Sequence, residues 1–313
     1  MCIRDRVIRQ EAIEYEEDPE DSAGDLLDRA IWGDDPMGMP VIGTVANIEG
    51  FTRQDLVRHV QSHYVGEKTV VVAAGNFDVP AWLEQAAQLF AGMPASADPA
   101  VALPPQPAKY VGQALAQRFT QVSQVFVNLA YPLVFEQLQG EHPQRARLVA
   151  SLAAHLLGEG MSSPLVDTVR ERLGLAYTAY AAMEGGDVWA NFIVHAVTTP
   201  DKLEALVAAT GGLLRAQAAG IDLVHLERAK NQLAVSRVRA GERTYATMER
   251  AVEDLFAHGS VTSVAETLAM IDGIGAEEVR KVFERMLAHP PAVAITGKGA
   301  SARTVRQLSL IHI

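Results

Sequence analysis

The sequence predicts an α+β protein: two homologous α/β sandwich domains, with helices packed on mainly antiparallel sheets and the first domain incomplete. Three observations carry this prediction. A block of helix and strand signals recurs near the two ends of the chain, strand-like runs group beside stacked helical runs, and a Pro/Ala-rich stretch separates the halves.

The repeat pairs Ile48–Arg58 with Ile271–Lys281. In both, an apolar residue, an acid, Gly and an apolar residue are followed by a further acid, apolar and basic series. This reads as a loop, a helix start and an amphipathic helix. Each block is followed by a short apolar run ending in Gly, Thr69–Gly75 in one and Ala292–Gly297 in the other, and each run reads as a strand. The linker lies at residues 93–108, where prolines crowd between alanines. The chain therefore divides into residues 1–92, read as the C-terminal half of a first domain, and 109–300, a second and homologous domain. The tail covers 301–313. On the length of the second unit, roughly 100 residues are expected ahead of the first. The end segments Met1–Arg6 and Leu308–Ile313 resemble translated sequencing-adapter read-through and are set aside from the fold.

Taken in order, Val7 to about Glu17 reads as a helix. Asp18-Pro19 restarts the helix as N-cap and first-turn proline, and a second helix runs to Trp32, before the loop Gly33–Pro40. In the second unit Gln121–Tyr131 alternates as a strand. Helices are expected at 142–157 and 162–173, and strands at 175–184 and 188–198. The strands are joined by the hairpin signal Glu184-Gly185-Gly186-Asp187. Four helices between 200 and 288 precede the last strand. The helices are expected on one face of the sheet.

Composition narrows the function. An apolar content of 49% with 21% charged residues suits a globular chain with sizeable cores. A net charge of −11 argues against a nucleic-acid partner, which needs clustered Lys and Arg, and leaves peptides, small molecules and proteins. No apolar run is long enough to span a membrane. The lone cysteine, Cys2, excludes a disulfide framework. None of the nine histidines forms H-E-x-x-H or H-x-x-E-H, the spacings that set two imidazoles and a Glu on one helix face. His59 and His63 share a helix face without a carboxylate between them, which reads as a solvated pair. No G-x-S-x-G elbow and no phosphate-binding glycine loop occurs.

Several segments, in the right order, resemble the pitrilysin/insulinase family of zinc metallopeptidases, which includes the mitochondrial processing peptidases. They are Val7–Pro19, Asp35–Gly43, Phe51–Leu56 with Tyr64, and Val71–Asn76 in the first unit. In the second they are Gly158–Ser163, Val169–Tyr177 and Leu226–Leu233. The resemblance implies a zinc-dependent endopeptidase cleaving peptides or protein presequences, present here without its H-x-x-E-H segment. The chain as given is accordingly expected to be inactive and not to hold zinc stably.

In such a family zinc takes two His and a Glu from a later helix, and Glu11 stands at that third position. A carboxylate on a rigid helix suits zinc, which binds a few N and O ligands and keeps one position for water. The Glu that the family often adds seven residues earlier is here Arg4. Arg170 and Tyr177 match the family's substrate-facing pair, Arg170 forking onto a peptide carbonyl or carboxylate and the Tyr177 hydroxyl donating to the oxyanion. Arg172 is an alternative to Arg170. Gly158–Ser163 reads as a flexible turn before a helix, with Ser162 or Ser163 as its cap. The acid run Glu14–Asp28 reads as a solvated helix face or as a field drawing basic peptides. Expected partners are peptide substrates and a homologous subunit or second copy of the chain. The competing reading is a non-catalytic partner subunit of the same fold, or a structural assembly subunit.

Overall fold

The computed structural model describes residues 3–95, 109–133, 143–186 and 189–310. The first unit is helical: α1 (Ile3–Glu17), α2 (Asp21–Trp32), α3 (Val45–Gly50), α4 (Arg53–His63) and α5 (Val79–Phe90). Helix α1 starts at Ile3, ahead of the expected Val7. Helix α2 starts at Asp21 with Glu20 at its N-cap position, so Asp18-Pro19 forms the turn before it and not its cap and first turn; Asp18 Oδ1 still accepts the N–H groups of Glu20 at 2.8 Å and Asp21 at 3.1 Å. The second unit holds β1 (Ala114–Arg118), β2 (Val125–Pro132), α6 (Pro143–Gly158) and α7 (Pro164–Val166), which runs on as a π-helical turn over Asp167–Arg172. After these come β3 (Thr178–Gly185), β4 (Ala190–Thr198), α8 (Leu203–Ala219), α9 (Leu223–Gly241), α10 (Thr244–His258), α11 (Val264–Asp272), α12 (Ala276–Met286), β5 (Ala292–Gly297) and α13 (Ala302–Leu310).

The five strands form one sheet in the order β1-β5-β2-β4-β3. Only β1 and β5 pair in parallel; the remaining pairs are antiparallel, as expected. Side chains alternate between the two faces. Val125, Val127, Leu129 and Tyr131 of β2, with Phe192 and Val194 of β4 and Val293 and Ile295 of β5, pack on α6, α8 and α12.

The opposite parity is also covered. Ala130, Ile193, Ala292 and Ala294 pack against Leu27, Ala30, Ile31 and Trp32 of α2. The prediction of helices on one face only is therefore corrected. β2, β4 and β5 are buried along their whole length because they are apolar at both parities, and such strands need cover on both sides. Helix α2 is locked there by backbone bonds, Val111 N–H to Ile31 O at 2.7 Å and Gln113 N–H to Ala30 O at 2.8 Å. Trp32 meets Trp189 edge to face with centroids 5.6 Å apart.

The repeat has a structural counterpart in two helix–turn–helix units, α3–α4 and α11–α12. In both, the third residue of the second helix reaches back to the backbone at its start: Asp55 to Thr52 N–H and Glu278 to Gly275 N–H, each at 2.9 Å. The runs that follow differ. Ala292–Gly297 is the interior strand β5, whereas Thr69–Gly75 is not a strand. A strand persists only with a partner ladder, and among the described residues none lies beside it. Helices α3 to α5 bury little, with Phe51 62%, Leu83 55% and Leu89 75% exposed.

Three further expectations change. Five helices, not four, fill 200–288, because α9 and α10 are joined by only Glu242 and Arg243. β1 was not foreseen. The tail 301–313, to which no element was assigned, forms α13 over Ala302–Leu310, and its Val305 enters the core. Residues 96–108 of the predicted linker and Asp187 of the predicted hairpin lie outside the described residues.

Candidate functional site

Glu11 sits in the third turn of α1, exposed, and makes no hydrogen bond or ion pair among the described residues. The opposite side of the helix holds it in place: Ala12 is buried, and Arg9 Nε meets Glu49 Oε1 of α3 at 2.8 Å. With Arg6, Val7, Gln10 and Glu14 it lines an open recess of about 450 Å³.

The histidines do not complete a metal site. His59 and His63 stack with centroids 4.3 Å apart, and His63 Nδ1 is 2.9 Å from the carbonyl of His59, a contact within one helix. Among the described residues no group of three His, Cys, Asp or Glu could hold a metal ion. Zinc needs about three protein ligands. These residues offer it one unpartnered carboxylate and so do not by themselves fit the ion.

Arg170 lies on the π-helical turn and Tyr177 immediately before β3. Between them the chain turns back at Gly174, whose φ of 58° favours glycine. This loop is pinned from three sides. Leu175 and Ala176 donate their N–H groups to Val169 O at 2.7 and 3.1 Å, and Lys202 Nζ donates to Gly174 O at 2.8 Å. Tyr177 N–H donates to Val197 O of β4 at 2.9 Å. Both predicted side chains emerge from this braced loop into solvent. Among the described residues Arg170 pairs with Glu171 at 3.4 Å, and Tyr177 is 77% exposed with its hydroxyl unengaged. The structure does not bring the two side chains into hydrogen-bond contact, nor either of them to Glu11. Arg172 is tied to Asp167.

The Gly158–Ser163 turn, read as flexible, is tied to its neighbours by packing and hydrogen bonds. A Cβ on Gly158 would stand 2.1 Å from the backbone nitrogen of Ala181, so only glycine lets α6 approach β3 there. Ser163 is the cap, accepting Val166 N–H at 3.4 Å. Arg228 of α9 donates to Ser162 Oγ at 3.0 Å and to Leu156 O at 3.2 Å.

One cluster was missed from sequence. On the α2 face of the sheet, Tyr180 stacks on buried His195 with centroids 4.8 Å apart, and His195 Nδ1 is 2.7 Å from Asn128 Oδ1. Nearby, burial first, then Glu184 and Asp25, push the Asp28 carboxyl up to about 6. Burial also raises Glu184. The acid run is thus only partly a solvated face: its C-terminal end meets an acid of β3. The available signal was a polar residue, Asn128 or His195, in the middle of a mainly apolar strand.

Comparison with known proteins adds the family. The sequence model described as the Peptidase M16 inactive domain matches residues 50–233. An uncharacterized zinc protease of Mycobacterium bovis is 29% identical over 96% of this chain and 68% of its own length. One of Streptomyces coelicolor is 30% identical over 93% of this chain and 63% of its own. Among solved structures, a protease from Helicobacter pylori superposes with a TM-score of 0.79 at 16% identity, covering 94% of this chain and 71% of that one. A chain of complex III from Candida albicans superposes with a TM-score of 0.83 at 18% identity, covering 97% and 74%. These two likenesses show the fold.

Proposed function

Because the chain belongs to the M16 peptidase family, the pitrilysin/insulinase-type peptidases, we propose that it is part of a zinc-dependent endopeptidase that holds a peptide between Glu11 and the Arg170/Tyr177 loop. The observation that carries this reading is the exposure of all three side chains on braced backbone. Exposed, preorganised groups are what a peptide chain can meet. The relatives' names as zinc proteases support the metal.

In this reading Glu11 is one zinc ligand, and two imidazoles come from outside the described residues. Zinc, when bound, would supply an activated water. The chain's own groups act on the peptide. The Arg170 guanidinium forks onto a carbonyl and fixes register, and the Tyr177 hydroxyl donates to a carbonyl oxygen as it gains charge. Among the described residues no helix is long and apolar enough to cross a membrane.

A second reading has its own support. The matching family model is described as an inactive domain, and one structural likeness is a chain of complex III. On that reading the chain is a non-catalytic subunit that binds or shapes substrate beside a homologous partner. Elemental analysis after dialysis, with cleavage of a quenched-fluorescence peptide, separates the two. The endopeptidase reading expects no retained zinc in this chain alone. In the gene's whole product it expects equimolar zinc and cleavage that stops on chelation. Whole product that is free of zinc and inactive would leave only the second reading.

A further inference from the structure

The cavity between α6, α9, α10 and α11 differs from the rest of this acidic chain. It encloses about 540 Å³, and three arginines line it: Arg147 of α6, Arg237 of α9 and Arg250 of α10. Among the described residues two carboxylates, Glu253 and Asp254, line it with them. Asp254 accepts the Thr262 N–H at 2.8 Å and stands 4.0 Å from Arg250 Nε. Arg250 also donates to Thr267, and Arg147 donates to the Gly186 carbonyl.

Arg237 is the least satisfied. Its Nε is buried and has no hydrogen-bond acceptor among the described residues. Burial and then Arg250 lower its pKa, an effect that Glu253 and Asp254 offset in part. A buried guanidinium N–H without an acceptor is costly, and a bound anion removes that cost. The remaining wall is mixed, with Leu148, Phe256 and Met270 as its largest apolar side chains beside Gln144, Ser151, Thr262 and Thr267. Pockets of this size with a few convergent polar groups are ordinary small-ligand sites.

We propose that this cavity binds a small organic oxyanion, a carboxylate or phosphate group carried on an apolar body. Arginine matches both heads because its planar fork pairs with two oxygens at once. None of Glu11, Arg170 and Tyr177 lines the cavity, so this is a second site, and it does not depend on peptidase activity.

Calorimetry on the whole chain tests it with three probes: acetyl-Leu-Phe as the free acid, its C-terminal amide, and benzyl phosphate. A carboxylate site gives a Kd on the order of 10–100 μM for the acid and a loss of about tenfold or more for the amide. Tighter binding of benzyl phosphate than of the acid identifies a phosphate as the natural head. Arg237→Gln and Arg250→Gln each weaken the bound probe by about tenfold. Glu253→Gln, an exposed change that removes a competing charge, tightens it by a few-fold. It also decides the matter if the arginine variants fold poorly by circular dichroism. No binding of either anion below about 1 mM, or binding that Glu253→Gln leaves unchanged or weakens, overturns the proposal.

Discussion

His195 of β4 and Asn128 of β2 face each other across the sheet, Nδ1 to Oδ1 at 2.7 Å, and Asn128 Nδ2 donates in turn to the Ala23 carbonyl of α2 at 3.2 Å. With Nδ2 committed to a carbonyl, Oδ1 is the atom turned to the ring, so Nδ1 carries the imidazole proton. This relay fastens the first unit's helix to the second unit's sheet. Burial holds His195 down to about 4, below its ordinary 6.5. The unfolded chain therefore binds more protons between those values. Stability is full above 6.5 and falls as pH drops toward 4, by at most about 3 kcal/mol. His195→Asn keeps a donor toward Asn128 and removes the titration. Its melting temperature, compared with that of the parent between about pH 7 and 4, should decline less steeply. An unchanged acid limb would mean that His195 is not the group responsible.

Asp28 has the opposite sign. Its folded value of about 6 exceeds the ordinary 3.8, so the folded state binds more protons between them and this contribution is lost as pH rises. Asp28 is exposed taken as a whole residue, so solvent screening makes the effect on stability smaller than the shift alone implies. Asp28→Asn should raise the melting temperature at about pH 8, with the gain fading below about pH 4. A variant that destabilises at both values would show that Asp28 serves through a specific contact and not as a crowded acid.

The two halves should differ in resistance. Residues 41–95 are almost without buried side chains, Val65 being an exception, whereas α2 is sealed on the sheet by Leu27, Ile31 and Trp32. Local opening follows from few buried apolar contacts. Limited proteolysis should cut within 41–105 and leave α2 bound to a resistant core from Lys109 onward. Loss of the second unit first, with 41–95 protected, would contradict this.

How much of this the sequence carries depends on the range of the interaction. Helices α1 and α2 were legible because Asp18-Pro19 and Gly33 are local punctuation. β5 was legible as an apolar run closed by Gly297, and the repeat found a matching structural motif at Asp55 and Glu278. β1 was not, since Ala114–Arg118 is short and half exposed, with no clear alternation. The run Thr69–Gly75 has strand composition, but composition supplies no partner. Glu11, Arg170 and Tyr177 came from family resemblance, and the structure adds their exposure. The His195–Asn128 pair and the meeting of Asp28 with Glu184 join residues far apart in sequence, so no local pattern could announce them.

The two-faced peptide site is the central claim, and metal content measured together with kinetics tests it most directly. In the gene's whole product, Glu11→Gln should lose zinc and activity together, because a neutral amide is a poorer ligand than a carboxylate. Tyr177→Phe should keep zinc and lose on the order of 10²–10³ in kcat on a quenched-fluorescence peptide, as removal of an oxyanion donor does. Arg170→Ala should keep zinc and raise KM more than it lowers kcat. If zinc stays bound in Glu11→Gln, or if Tyr177→Phe and Arg170→Ala both turn over like the parent, the site proposed between these two faces does not exist.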